Sequence, residues 1–292
     1  LAVHFLLLKV TSSVAMGVVL KLADTRKLHR LSLIRTNYAV AAVIAFLITV
    51  GSGAEHISRP TAVLAVVIGI LFVAGLLLWS KTIETAGLAL SVVAMRLGIV
   101  VPVLASAVVW HERPGATHLA GGAVALLALA LVISEVIKRQ PGAVPTSGPR
   151  PVAAWVWMAG LFLVEGSVNT GAKVFQQVMP QAESMSFQTV VFVTAFFVTT
   201  IVYFLGRERV TQQTLVYGAG LGAANLGNYL FLVTALAVLP GVVVYPVTAA
   251  AEVALMVLAG VFFWREKVGL RSWLGIGLAV LALVLIQLGR PL

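Results

Sequence analysis

The chain has 292 residues, of which 60% are hydrophobic and 10% charged, with a mean hydropathy of +1.05 and a formal net charge of +10. A soluble domain carries about 25% charged residues, so this composition excludes an ordinary water-facing surface and points to membrane spans of about 20 apolar residues. The lack of cysteine excludes disulfides and thiolate zinc sites, the five histidines show no HExxH-type spacing, and the basic residues form no aromatic-interleaved stripe for nucleic acid.

Ten apolar spans follow in chain order, over 1–20, 32–51, 61–80, 87–109, 117–137, 152–172, 185–205, 213–235, 241–263 and 270–289. The expected fold is an all-α integral membrane protein with ten transmembrane helices and short connections. Lys9 interrupts the first span; it either meets an anion or reaches the nearer membrane surface. Trp79, near the end of the third, either lines a cavity or joins an interfacial aromatic belt. The fourth contains SVVAMRLGIVVP from Ser91. A charge in hydrocarbon is costly and turns to a bundle interior or wet cavity. Arg96 therefore has three readings: contact with a substrate carboxylate or phosphate, a pair with Glu252 or another internal acid, or snorkelling. Pro102 lies six residues after Arg96, and Pro246 six before Glu252; each permits a kink. The Pro- and Gly-rich stretch 138–151 (KRQPGAVPTSGPRP) follows the fifth span, and 141–151 is expected to be a linker.

The sixth span contains VEGSVNTGAKVF, in which Glu165, Asn169 and Lys173 are spaced by four and share one helical face. That stripe either lines a cavity or, at Glu165, faces headgroups. The eighth contains GAGLGAANLGNYLF. Gly218 and Gly222 have the spacing of a helix-packing motif, while Asn225, Asn228 and Tyr229 are either a binding group or polar glue. The ninth contains YPVTAAAEVALMVLAG, with Glu252 about halfway along. A weakly paired buried carboxylate can hold a proton in one state and release it in another; the plainer reading of Glu252 is a neutralising partner for Arg96. Glu165 is the other acid suited to proton coupling. Tyr245 shares the two readings of Trp79.

A repeat lies across the linker. An offset of 154 pairs Trp110 with Trp264, Glu112 with Glu266, Gly121 with Gly275, Ala125 with Ala279, Gly87 with Gly241 and Gly17 with Gly171. It divides the chain into 1–140 and 152–292, with five spans each. An odd number of spans per half inverts one half against the other, as in many secondary transporters whose repeats rock about a central site. The two Trp-x-Glu corners are read as structural, holding the start of a following helix.

The loops after the odd-numbered spans carry fourteen Lys and Arg residues against four on the other side. By the positive-inside rule the richer side is cytoplasmic, which places both ends of the chain outside.

The spans, the duplication and the corners VVWHERPG and VFFWREKVG resemble the drug/metabolite transporter superfamily, most nearly its bacterial EamA-type branch. His111 and Arg265 stand where glycine is common in that family. The resemblance implies a ten-helix carrier of the bacterial inner membrane with helices of both halves around a central cavity. It also implies export of amino acids or other metabolites, proton-coupled or facilitative, and both termini in the cytoplasm, which conflicts with the charge count.

The expected function is alternating-access transport, with export as the direction that the resemblance implies, of a small polar metabolite such as an amino acid or organic anion. Arg96 and Lys9 would meet its negative group, Glu252 or Glu165 its amine or the coupling proton, and Asn225, Asn228 and Tyr229 would orient it, with Asn169, Tyr245 and Trp79 as further lining. One alternative is export of amphipathic cations or drugs on Glu165 and Glu252. Another is a membrane enzyme acting on lipid-linked substrates, for which no clustered catalytic residues are found. No catalytic residue, metal, cofactor or nucleic acid is expected; the expected partners are the small-molecule substrate, membrane lipids and protons, in a monomer or homodimer.

Overall fold

The structure is a computed structural model and describes residues 2–53, 56–86, 88–112, 114–139, 152–205, 211–265 and 269–288. The expected linker 141–151, Gly87 and Glu266 lie outside the described residues. Among those described, the chain is helical without strands: α1 (Ala2–Thr25), α2 (Arg30–Gly51), α3 (Arg59–Ala86), α4 (Leu88–Leu97), α5 (Val100–Val108), α6 (Ala116–Arg139), α7 (Val152–Val178), α8 (Ser184–Leu205), α9 (Gln212–Val238), α10 (Gly241–Trp264) and α11 (Leu270–Leu288), with a 3-10 turn at Gln181–Glu183. Seven of these segments, on α1, α2, α3, α6, α8, α9 and α10, are long and apolar enough to cross a membrane; 94–108 and 270–285 are shorter apolar segments.

The fourth expected span is two helices, α4 and α5. A proline ring in a helix collides with the carbonyl four residues back, and four residues before Pro102 is Gly98. The chain tightens there instead: Ile99 N–H donates to the Arg96 carbonyl at 3.4 Å and Val101 N–H to the Gly98 carbonyl at 3.2 Å. The kink permitted by Pro246 takes a milder form, because α10 runs unbroken through it.

The helices form two compact units. Unit 1 comprises Leu1–Leu6, Ala74–Lys173 and Ala235–Leu292; unit 2 comprises Leu7–Val73 and Val174–Thr234. Each unit therefore draws on chain from both sides of 141–151.

In unit 1, α6 packs against α11, and α10 packs against α5, α6 and α11. Helices gain no hydrophobic drive from pairing in lipid, so small residues that bring backbones together carry the contact. Gly275 of α11 is such a residue: a Cβ there would lie 3.0 Å from the Ala128 carbonyl and 2.5 Å from Val132 of α6. The two corners also share a backbone feature. His111 and Arg265, related by the offset of 154, have φ of 50° and 52°. That left-handed conformation ends a helix readily and suits glycine best, which gives a physical reason for the glycine common at this position in the resembled family.

In unit 2, α2 packs against α8 and, through the expected glycine motif, against α9. A Cβ on Gly218 would strike Thr36, and one on Gly222 would lie 2.5 Å from the Asn37 carbonyl oxygen. The glycines therefore serve close approach, and α9 is continuous across them. Six aromatic rings pack together here. Tyr229 of α9 lies 5.2 Å from Phe72, 6.3 Å from Phe187 and 6.5 Å from Phe192, centroid to centroid, and Phe187 stacks on Phe175 at 4.3 Å. Tyr38 lies 6.4 Å from Phe72.

Candidate functional site

The candidate site lies in unit 1, where α4, α7 and α10 present their polar residues. Arg96 occupies the last turn of α4, where the exposed carbonyl ends of a helix favour a cation. Its Nη1 donates to Glu252 Oε2 of α10 at 2.7 Å. The two side chains differ in exposure: 3% for Glu252 and 18% for Arg96. The carboxylate is enclosed and the arginine is the more accessible side chain of the pair, although its Nε is buried without a hydrogen-bond partner among the described residues. The structure thus brings together the two charges that the sequence offered as partners, and Arg96 is held in a pair while part of its side chain remains accessible.

Beside them, α7 closes on the break between α4 and α5. A Cβ on Gly98 would sit 3.0 Å from the Glu165 Cβ and 3.1 Å from the Phe162 carbonyl oxygen; one on Gly166 would strike Val101 at 2.6 Å. Glycine on both sides lets the two backbones touch. It sets Glu165, which is half-buried, against the chain two residues beyond Arg96. Glu165 Oε1 in turn lies 3.7 Å from where a Cβ on Gly75 of α3 would stand.

Further along α7, Asn169 Nδ2 donates to the Glu165 carbonyl at 2.8 Å, and the Asn169 carbonyl accepts the Tyr245 hydroxyl at 2.7 Å. Tyr245 is almost wholly buried and ties α10 to α7. One turn on, Lys173 Nζ lies 2.6 Å from Glu112 Oε1, with the lysine 1% and the acid 10% exposed. Glu112 Oε2 accepts the Val242 N–H at 3.1 Å, in the first turn of α10. An anion is favourable at a helix N-terminus. The corner read as holding the start of the helix that follows it holds instead the start of α10, far along the chain. Sequence spacing could not reveal this, because Glu112, Lys173 and Val242 come from three separate segments.

The other expected residues fall elsewhere. Trp79 is a half-buried residue of α3 in unit 1. Lys9, buried in α1, belongs to unit 2 with Asn225, Asn228 and Tyr229. Asn225 Nδ2 donates to Asn37 Oδ1 of α2 at 3.2 Å, beside the Gly222 contact, which is the polar-glue arrangement. The Tyr229 hydroxyl and Asn228 Oδ1 are buried without a hydrogen-bond partner among the described residues, as are both amide atoms of Gln188 on α8. Sequence reading passed over Gln188 and Asn37, although each is a polar residue in an apolar run. Among the described residues no group of three metal-ligating side chains forms.

Known proteins place the chain as follows. No family model matches it. Over 286 residues, 94% of both chains, it is 24% identical to an uncharacterized protein of Haemophilus influenzae. Over 84 residues, 28% of this chain and 74% of the relative, it is 36% identical to the probable 4-amino-4-deoxy-L-arabinose-phosphoundecaprenol flippase subunit ArnE of Hamiltonella defensa. A protein solved by crystallography shares the fold with a TM-score of 0.76 at 14% identity, over 98% of this chain and 96% of its own.

Proposed function

We propose, for a chain that belongs over its 84-residue match with ArnE in the drug/metabolite transporter superfamily, that it is a secondary carrier of the EamA type moving a small polar metabolite by alternating access. In this reading ten segments cross the bacterial inner membrane, with α4 and α5 together making one crossing, and the two halves are inverted repeats. The equal left-handed corners at His111 and Arg265 support the duplication, as does the packing of α2 on α8 and α6 on α11, which are the helices that the offset makes equivalent.

The observation that carries the reading is the Arg96–Glu252 pair, in which the acid is enclosed and the arginine is the more accessible side chain. An arriving carboxylate or phosphate meets Arg96 first and competes with Glu252 for it. A guanidinium suits that exchange because its fork binds either anion bidentately. The displaced Glu252 carboxylate then takes a proton, since burial without its arginine favours the neutral form. Glu165, against the break beside Arg96, is the second acid proposed for the coupling proton or a substrate amine. Export is the proposed direction.

A second reading follows from ArnE, whose name assigns it a lipid-linked aminosugar: the cargo would be an amine carried on a lipid phosphate.

The test is flux into proteoliposomes of labelled amino acids, organic anions, lipophilic cations and a lipid-linked aminosugar phosphate. Wild type, Arg96→Gln and Glu252→Gln are compared at equal membrane incorporation. Anion or amino-acid flux falling more than about tenfold in Arg96→Gln supports the metabolite reading. Wild-type flux in that variant sinks it. Movement of the lipid-linked substrate alone selects the second reading, and movement of lipophilic cations alone makes Arg96 a structural partner of the acids.

A further inference from the structure

The end of unit 2 where α1 and α8 finish and α2 and α9 begin carries a feature that transport through Arg96 leaves unused. Arg35, five residues into α2, lies with its guanidinium 4.5 Å from the ring centroid of Tyr203 and 5.6 Å from that of Phe204, both in the last turn of α8. Its Nε donates to Thr200 Oγ1 at 3.3 Å. Two rings and a hydroxyl thus fix the plane of the group, while Nη1 and Nη2 donate to nothing among the described residues. A stacked guanidinium with its fork unspent is prepared for a phosphate, because little rotamer freedom remains to be lost.

Two surroundings favour an anion with a tail. The short connection from α1 to α2 adds Arg26, Lys27 and Arg30 at the same end, and Arg26 sits 5.4 Å from the Tyr217 ring near the start of α9. Basic side chains at a membrane surface attract anionic headgroups by roughly 1 kcal/mol each. Leading away from Arg35 along α8, Phe204, Ile201 and Phe197 are 73%, 64% and 61% exposed. Their spacing of three and four residues lines them up on one helical face, an apolar track that begins under the guanidinium.

We propose that Arg35, oriented by Tyr203 and Thr200, binds the phosphate of a lipid whose hydrocarbon chain lies along Phe204, Ile201 and Phe197. The phosphate is supplied either by an anionic phospholipid of the bilayer or by a polyprenyl phosphate.

The experiment reads lipid retention by native mass spectrometry on the full chain extracted from vesicles of phosphatidylcholine containing phosphatidylglycerol, a polyprenyl monophosphate, or neither. Wild type should retain one of the phosphate lipids over phosphatidylcholine by about tenfold. Arg35→Gln should abolish the preference, Arg35→Lys should fail to restore it, and Thr200→Val, which keeps the charge, should weaken it severalfold. Preference for phosphatidylglycerol identifies a bilayer lipid, and preference for the polyprenyl phosphate identifies a lipid-linked ligand; either supports the site. Unchanged preference in Arg35→Gln overturns it, as does a wild type that retains all lipids alike. Release of the lipid by millimolar inorganic phosphate as readily as by competing phosphate lipid overturns the tail's part in binding. These readouts do not depend on flux, so failure here leaves the proposed carrier function standing.

Discussion

Unit 1 and unit 2 are built from helices of one composition but are held by different forces. Unit 1 keeps formal charges inside and neutralises them in pairs, Arg96 with Glu252 and Lys173 with Glu112. Unit 2 joins α2, α8 and α9 through glycine contacts, an amide pair and stacked rings, with a hydroxyl pair between Thr49 and Thr189 at 2.9 Å. Close packing and neutral hydrogen bonds suffice to hold membrane helices together. Buried ion pairs are a poor way to add stability, since desolvation consumes most of the attraction. Their presence in unit 1 therefore points to a role beyond holding helices, and it is where we place the exchange of partners.

The largest effect expected from that contrast is at Glu112. Glu112→Ala takes the carboxylate from the buried Lys173 ammonium and frees the first turn of α10, and should cost roughly 3–5 kcal/mol. Thermal unfolding of the purified protein reads this as a lowered Tm, and Glu112→Leu with Lys173→Met should recover much of it. If the double variant is as unstable as the single, the pair is not what Glu112 supports.

Gly222→Val tests the opposite style of construction. The added atoms meet the Asn37 backbone, which cannot turn aside, so a loss of about 1–3 kcal/mol is expected. Urea or thermal midpoints indistinguishable from wild type would show that α2 and α9 are not so closely seated.

Asn225→Leu, at the same interface, should lose only about 0.6 kcal/mol, the usual size of a side-chain hydrogen bond between membrane helices. A loss as large as that from Glu112→Ala would remove the distinction between the units. At the small end is Tyr229→Phe. Its hydroxyl finds no partner among the described residues, and deleting an unsatisfied polar group is neutral or favourable. A melting point at or above wild type is expected with unchanged flux; reduced flux would give the hydroxyl a ligand to touch.

Much of the fold was legible because apolar length is a coarse and reliable signal. Each expected span meets a helix, and Gly218 and Gly222 do what their spacing implies. What escaped was anything decided by a partner distant in sequence. Pro102 announced a disturbance, but its ring acts on the carbonyl four residues back, so the break appears at Gly98. Glu112 was visible as a corner residue, yet its partners Lys173 and Val242 lie on other helices. Arg96 and Glu252 were the exception: the offset of 154 carries Arg96 to within two residues of Glu252, and opposite charges leave few stable solutions at one depth. Tyr245 was expected on a cavity wall or in a belt, and its hydroxyl is engaged by the Asn169 carbonyl. Gln188 was missed because a single amide breaks the apolar pattern too little to draw notice.

The Arg96–Glu252 contact also orders events in time. The partners are 156 residues apart, and a ribosome adding about 5–20 residues per second needs roughly 8–30 seconds to travel between them. In the proposed ten-span topology the nascent fourth span therefore enters the bilayer with an arginine whose acid has yet to be synthesised, at an insertion cost of about 2.5 kcal/mol or more. All of unit 2 has been translated by Thr234, whereas unit 1 still awaits 235–292. The segment that carries Arg96 is among the earlier ones to be made and among the last to be completed. A cell producing this chain must shelter it through that interval.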